Sequence, residues 1–186
     1  MISTDEQERL LEIARQAVVA TVTGALPPRP EAAGNLAASA AAFVSLHVGG
    51  QLRGCIGHLD QDGPLAQTVV HCARLACTED PRFPAVSADE IDRLDLEISV
   101  LGQFERVSSL ADIVVGQHGL LVEHKGRRGL LLPQVATEYR WTSEIFVEQT
   151  CRKAGLPRDS WSSGAAVLYR FEAEVFGKRL GPFTSP

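Results

Sequence analysis

Residues 41–57 read AAFVSLHVGGQLRGCIG, and how this stretch is read decides the fold. Gly49-Gly50 separates two runs that suit strands. Glycine accepts positive φ at both central positions of a tight turn, so the stretch predicts a β-hairpin. Its arms are Ala41 to Val48 and Gln51 to Gly57. The second arm carries Leu52-Arg53-Gly54-Cys55-Ile56-Gly57. Side chains alternate between the faces of a strand. Leu52 and Ile56 are therefore assigned to a core face. Arg53 and Cys55 share the other face, about 7 Å apart at two residues of strand rise. Gly54 and Gly57 leave the backbone around Cys55 bare, so another group can approach closely. A thiol beside a guanidinium can be held as a thiolate. Free cysteine is also among the most buried residue types, so a packed, inert Cys55 is the competing reading.

Before the hairpin, Thr4 with Gln7 forms a candidate capping box. Leu10, Leu11, Ile13, Ala14, Ala17 and Val18 follow as the apolar stripe of a first helix reaching about Thr21. Pro27, Pro28 and Pro30 then impose an extended loop. After the hairpin, Pro64 opens a second helix whose apolar face is Leu65, Val69, Cys72, Ala73 and Ala76. Asp80-Pro81-Arg82-Phe83-Pro84 ends it. Two prolines stiffen that loop, which allows Asp80 and Arg82 to be fixed within it. Ser87 with Glu90 is a second capping box, before a short helical turn.

Leu94, Leu96, Ile98 and Val100 alternate with Asp95, Glu97 and Ser99, as in a half-buried strand. Gly119-Leu120-Leu121 and Gly129-Leu130-Leu131 flank the basic tip of a second hairpin, Lys125 to Arg128. Pro133-Gln134-Val135 breaks its second arm. Thr142 caps a third main helix with stripe Val147, Cys151 and Ala154, and Gly155 and Pro157 stop it. Ala165 to Phe176 reads as a last strand and Gly177 to Pro186 as a tail. The order helix, hairpin, helix, strand, hairpin, helix, strand gives an α+β fold with a mixed, largely antiparallel sheet and flanking helices.

A chain of 186 residues favours one domain, with division into two lobes as an option. Its net charge of -5 argues against nucleic-acid binding, as does the lack of an aromatic stacking motif. The N-terminus is polar and acidic, with no signal peptide, and the apolar run from Leu36 to Val48 is too short to span a bilayer. A soluble cytoplasmic protein is expected, with no membrane association. Cys55, Cys72, Cys77 and Cys151 form no C-x-x-C pair, and the five histidines form no H-x-x-x-H pattern. No metal and no cofactor is expected.

The motifs together resemble the AMMECR-one domain family, whose bacterial and archaeal members are called AmmeMemoRadiSam system protein A. The resemblance rests on 42–46 (AFVSL), 52–57 (LRGCIG), 80–84 (DPRFP) and 97–101 (EISVL). It continues through 115–120 (VGQHGL), 131–136 (LLPQVA), Trp141 and 151–156 (CRKAGL). It runs from about Thr4 to about Phe176, and the six-residue motif 52–57 is specific to the family. It implies a single domain over 1–186, with two strand-and-helix repeats around a curved, barrel-like sheet. It implies association with a Memo-like protein and a radical S-adenosylmethionine protein, without supplying a reaction. His58 follows the motif where many relatives carry a small polar residue, so any role for it is particular to this chain.

Two readings of the site follow. In one, the surface around the motif docks a partner. It is carried by Arg53, Gly54, Gly57, Asp80 and Arg82, with Ser99 and Gln134 as polar neighbours. In the other, Cys55 is a nucleophile, Arg53 stabilises its thiolate or an anionic substrate, and His118 serves as base.

Overall fold

The computed structural model describes residues 1–179, which divide into two compact units. The first comprises Met1–Val100 and the chain from Glu174 onward; the second is Leu101–Ala173. The class is α+β, with helices flanking antiparallel strands.

The first unit opens with α1 (Thr4–Thr23). Its cap is Ser3, one residue earlier than the sequence suggested. Ser3 Oγ accepts the Glu6 N–H at 3.3 Å, and the Glu6 carboxylate accepts the Ser3 N–H at 3.0 Å. Glu6 wins over Gln7 because its carboxylate also takes the Asn35 N–H and Nδ2 at 3.0 and 2.9 Å. These bonds tie the helix start to the 3-10 turn Gly34–Ala37. Gly24 ends the helix at φ 75°, a left-handed cap that suits glycine.

The hairpin forms where the sequence placed it, as β1 (Ala42–Val48) and β2 (Gln51–His58). Gly49 and Gly50 take φ 58° and 79°, the positive values the tight turn requires. The register slips once: Leu46 pairs with Gly54 but His47 pairs with Leu52, so Arg53 is an extra residue without a partner across the ladder. This bulge breaks the strict alternation assumed for the second arm. Leu52, between the turn and the bulge, is 37% exposed instead of lying in the core. Ile56, after the bulge, does pack on the core.

The helix α2 (Leu65–Thr78) lays Leu65, Val69, Cys72, Ala73 and Ala76 on the first unit's core, together with Leu10, Ile13, Val44 and Leu46. Ser87 and Glu90 make the expected capping box for the 3-10 turn Ala88–Arg93. The strand β3 (Leu94–Leu101) pairs antiparallel with β1 and buries Leu94, Leu96 and Ile98. The last described strand, β7 (Val167–Arg179), runs through both units, and within the first it lies next to β3. It passes the Phe176 end expected from sequence, because Gly177 lets it lie against the β3 backbone; a Cβ there would meet the Leu96 carbonyl at 2.9 Å. The expected tail beyond Arg179 lies outside the described residues.

The second unit has its own hairpin, β5 (His118–His124) and β6 (Arg127–Leu131), turning at Lys125 and Gly126. The first part of β7 pairs with β5 on one side and with the two-residue strand β4 (Glu105–Arg106) on the other. Pro133 both breaks the strand and begins a short helix, α3 (Pro133–Glu138), since its fixed φ suits a first helical turn. Thr142 caps α4 (Ser143–Lys153) as expected, accepting the Ile145 N–H at 3.4 Å. Phe146, Val147, Cys151, Leu120, Val122 and Leu168 form the core of this unit. Among the described residues, no helix is long and apolar enough to cross a membrane.

Candidate functional site

The site in the first unit is built on β2 and on the loop that follows α2. Asp80 is buried, with a side chain 3% exposed. A buried carboxylate is costly unless it is fully hydrogen-bonded. Here Oδ2 accepts the Cys55 N–H at 2.8 Å, and Oδ1 accepts the Arg82 N–H at 3.1 Å. The Arg82 guanidinium closes a two-pronged pair, Nε to Oδ1 at 2.9 Å and Nη2 to Oδ2 at 2.7 Å. The Arg82 hydrogen bond, and then the Cys55 and Arg82 amides, hold the Asp80 carboxyl well below the usual carboxylate range, against the opposing effect of burial. Asp80 therefore joins the loop 80–84 to the backbone of Cys55.

Arg53 makes a second two-pronged pair. Its Nε and Nη2 reach the Glu90 carboxylate at 2.7 and 3.0 Å. Nη1 donates to the Pro84 carbonyl at 2.8 Å, and Nη2 also to the Ala85 carbonyl at 3.2 Å. The Arg53 hydrogen bond lowers the Glu90 pKa to about 2. With four of its five donors committed, Arg53 clamps the segment 84–90. The bulge explains this direction of its side chain. The bond to Asp80 first, and charge on Cys55 last, raise the pKa of Arg82 against the opposing effect of burial. Its side chain is 51% exposed and lies 5.4 Å from the Phe83 ring centroid.

Gly54 and Gly57 leave the chain bare where neighbours inside the protein approach it. A Cβ on Gly54 would collide with the Ala76 carbonyl of α2, and one on Gly57 with the Phe43 ring. Gly54 thus lets the helix sit against the strand, and Gly57 lets an aromatic ring cover it.

Cys55 is the least buried of the four cysteines. It faces Ser45 across the ladder, which in turn faces Glu97 on β3. Ser45 Oγ donates to Cys55 Sγ at 3.2 Å. Burial pushes the Cys72 and Cys77 thiols up to about 12 and raises that of Cys151. In the next row Phe43 faces both Gly57 and Ser99. Ser99 is buried, and its Oγ has no hydrogen-bond partner among the described residues.

His118 and Gln134 belong to the second unit. His118 Nδ1 accepts the Val114 N–H at 3.0 Å, which leaves Nε2 to carry the proton of the neutral ring. Burial first, and the Arg170 charge second, lower the His118 pKa. Gln134 lies in the first turn of α3. Among the described residues, no group of three or more His, Cys, Asp or Glu side chains is placed to hold a metal ion.

The decisive role of Glu90 was not legible, because in sequence it announced itself only as a capping-box residue. It serves both purposes: its Oε2 takes the Ser87 N–H at 2.9 Å while the carboxylate holds Arg53.

The AMMECR1 family model matches residues 11–176. The chain belongs to the AMMECR1 family. A protein of Methanothermobacter thermautotrophicus is 43% identical over 183 residues, covering 94% of this chain and 95% of its own length. One from Methanosarcina mazei is 38% identical over 189 residues, covering 96% and 94%. An uncharacterised protein from Pyrococcus horikoshii, known from a crystal structure, superposes with a TM-score of 0.89 at 36% identity, covering 97% of this chain and 96% of that one. These AMMECR1-family relatives span the same length as this chain, so both units match.

Proposed function

We propose that this AMMECR1-family protein is a soluble, cytoplasmic docking component of an AmmeMemoRadiSam system. In this reading, the surface around residues 52–57 and 80–84 engages a Memo-like protein or a radical S-adenosylmethionine protein. The observation that carries the reading is the pair of ion-pair clamps. Asp80 binds both Arg82 and the Cys55 amide, and Arg53 binds both Glu90 and the Pro84 carbonyl. Fixing a loop before a partner arrives removes most of its ordering cost on binding. The clamp leaves Arg82 and Phe83 on view, and arginine and aromatic side chains are the residue types enriched at binding hot spots.

The test is binding of the full chain to each purified partner by calorimetry. Phe83→Ala, whose side chain takes no part in the hydrogen bonds of the clamp, is expected to weaken binding at least tenfold while a circular dichroism melt stays close to that of the parent. Equal affinity of parent and variant, or no binding to either partner, overturns the reading.

A second reading is favoured by the Ser45 to Cys55 hydrogen bond. A hydroxyl donating to sulfur stabilises the thiolate form, as a nucleophile needs. Iodoacetamide labelling of the native protein, read residue by residue between pH 6 and about 8, tests it. Cys55 labelling no faster than Cys72 removes Cys55 from any chemistry.

A further inference from the structure

We infer that the cleft between the proline-rich segment 28–30 and α2 is a binding site for a soluble, phosphate-bearing small molecule. The cleft lies wholly in the first unit and holds about 390 Å³, within the range of small-ligand pockets. One wall is the extended stretch Pro28-Arg29-Pro30, which prolines keep from collapsing into a helix. The other is the outward face of α2, where Gln67, His71 and Arg74 recur at helical spacing above the buried Val70.

The distribution of charge points to the ligand. The chain carries a net charge of -5, and several arginines elsewhere are paired, among them Arg53 with Glu90, Arg82 with Asp80, Arg93 with Asp89 and Arg170 with Glu105. Arg29 and Arg74 stand on opposite walls of one cleft, and neither guanidinium has a hydrogen-bond or ion-pair partner among the described residues. His71 adds a third nitrogen-bearing side chain to the same opening. The nearby Asp62 carboxylate is held by His58 Nε2 at 3.0 Å, and the His58 and His71 rings meet edge to face at 5.7 Å.

Two guanidiniums facing one volume suit a group with several anionic oxygens, and arginine binds phosphate through paired N–H bonds. Gln67 can donate to the same oxygens. Val70 and the proline rings supply an apolar surface for the rest of a small molecule. A phosphate on an anionic bilayer is disfavoured, because a chain of net charge -5 is repelled by that surface.

The experiment is a titration of the isotopically labelled full chain with sodium pyrophosphate at about 150 mM salt, where unspecific attraction is screened beyond roughly 8 Å. Expected are saturable shifts of the Arg29 and Arg74 side-chain resonances and of His71. Arg29→Gln and Arg74→Gln, both at exposed positions, each weaken binding about tenfold, roughly one charge-assisted hydrogen bond. Arg93→Gln, which removes an arginine outside the cleft, leaves it unchanged. Shifts that do not saturate, or that are weakened equally by Arg93→Gln, overturn the site. Co-sedimentation with vesicles containing phosphatidic acid, lost in the same two cleft variants, overturns the soluble ligand.

Discussion

The two hairpins of this protein solve one packing problem and then part company. In β2 the sequence Arg53-Gly54 lies under the end of α2; in β6, Arg128-Gly129 lies under the end of α4. Each glycine makes room for a helix terminus. A Cβ at Gly54 would strike the Ala76 carbonyl, and one at Gly129 would strike the Ala154 amide and come within 2.8 Å of the Thr150 carbonyl. The arginines beside them differ. Arg53 and Glu90 are 15% and 19% exposed, whereas Arg128 and Glu123 are 49% and 32% exposed. The residue after the glycine also differs, Cys55 in one hairpin and a buried Leu130 in the other. The glycines are therefore a requirement of the architecture, and what distinguishes the first hairpin is the shielded network around Cys55.

The largest effect is expected where the hairpins agree. Gly54→Ala and Gly129→Ala should each cost about 3 kcal/mol, since the obstructing atoms are backbone and cannot swing away. Chemical denaturation measures this. A loss confined to one of the two would break the parallel between them.

A smaller and unequal effect is expected from the ion pairs. Asp80→Asn should cost about 2 kcal/mol, because it weakens several bonds to a buried carboxylate. Glu123→Gln in the second hairpin should cost less than about 0.5 kcal/mol, the ordinary worth of an exposed pair. Equal costs would show that shielding does not separate the two networks.

The same clamp makes a pH prediction. Asp80 and Glu90 both have folded pKa values below their unfolded ones, Glu90 near 2. A depressed carboxylate adds stability above its unfolded pKa, and that stability is lost as pH falls toward the folded value. Melting temperature should therefore drop between about pH 5 and pH 2, and Glu90→Gln should flatten that slope. A variant with the parent's slope would remove Glu90 from the acid response.

The smallest effect on stability is expected from Cys55→Ser, within about 1 kcal/mol, as the site is only partly buried and serine can keep the Ser45 contact. In the parent protein Cys55 should react with iodoacetamide before Cys72 and Cys77, whose thiols burial has pushed up to about 12. A serine variant that unfolds would make Cys55 a packing residue like its counterpart Leu130.

The hairpin, the α2 stripe and the β3 alternation were legible because each rests on a local period or a turn residue. The site was legible in composition but not in pairing. Asp80, Arg82 and Cys55 stood out, yet placing Arg53 on one face with Cys55 assumed unbroken alternation, and one bulge interrupts that alternation. No local signal marks a bulge at Arg53. The glycines were read as openings because sequence shows a missing side chain without showing what fills the gap. Glu90 was hidden for another reason: it lies 37 residues from Arg53 along the chain, and only the fold supplies the acceptor.

The strand β7 has a consequence in time. The first unit needs residues from Glu174 onward, yet the intervening Leu101–Ala173 forms the second unit. At synthesis rates of about 5–20 residues per second, the first hundred residues wait roughly 4–15 s for the strand that lies beside β3. Until it arrives, one edge of β3 has no partner, and the Ile2 amide lacks the Glu174 carboxylate that takes it at 3.0 Å. An unpaired edge of this kind is a template for association with other chains. The second unit, continuous in the chain, carries no such delay, so the nascent protein is most exposed to aggregation while its first half is waiting for its last strand.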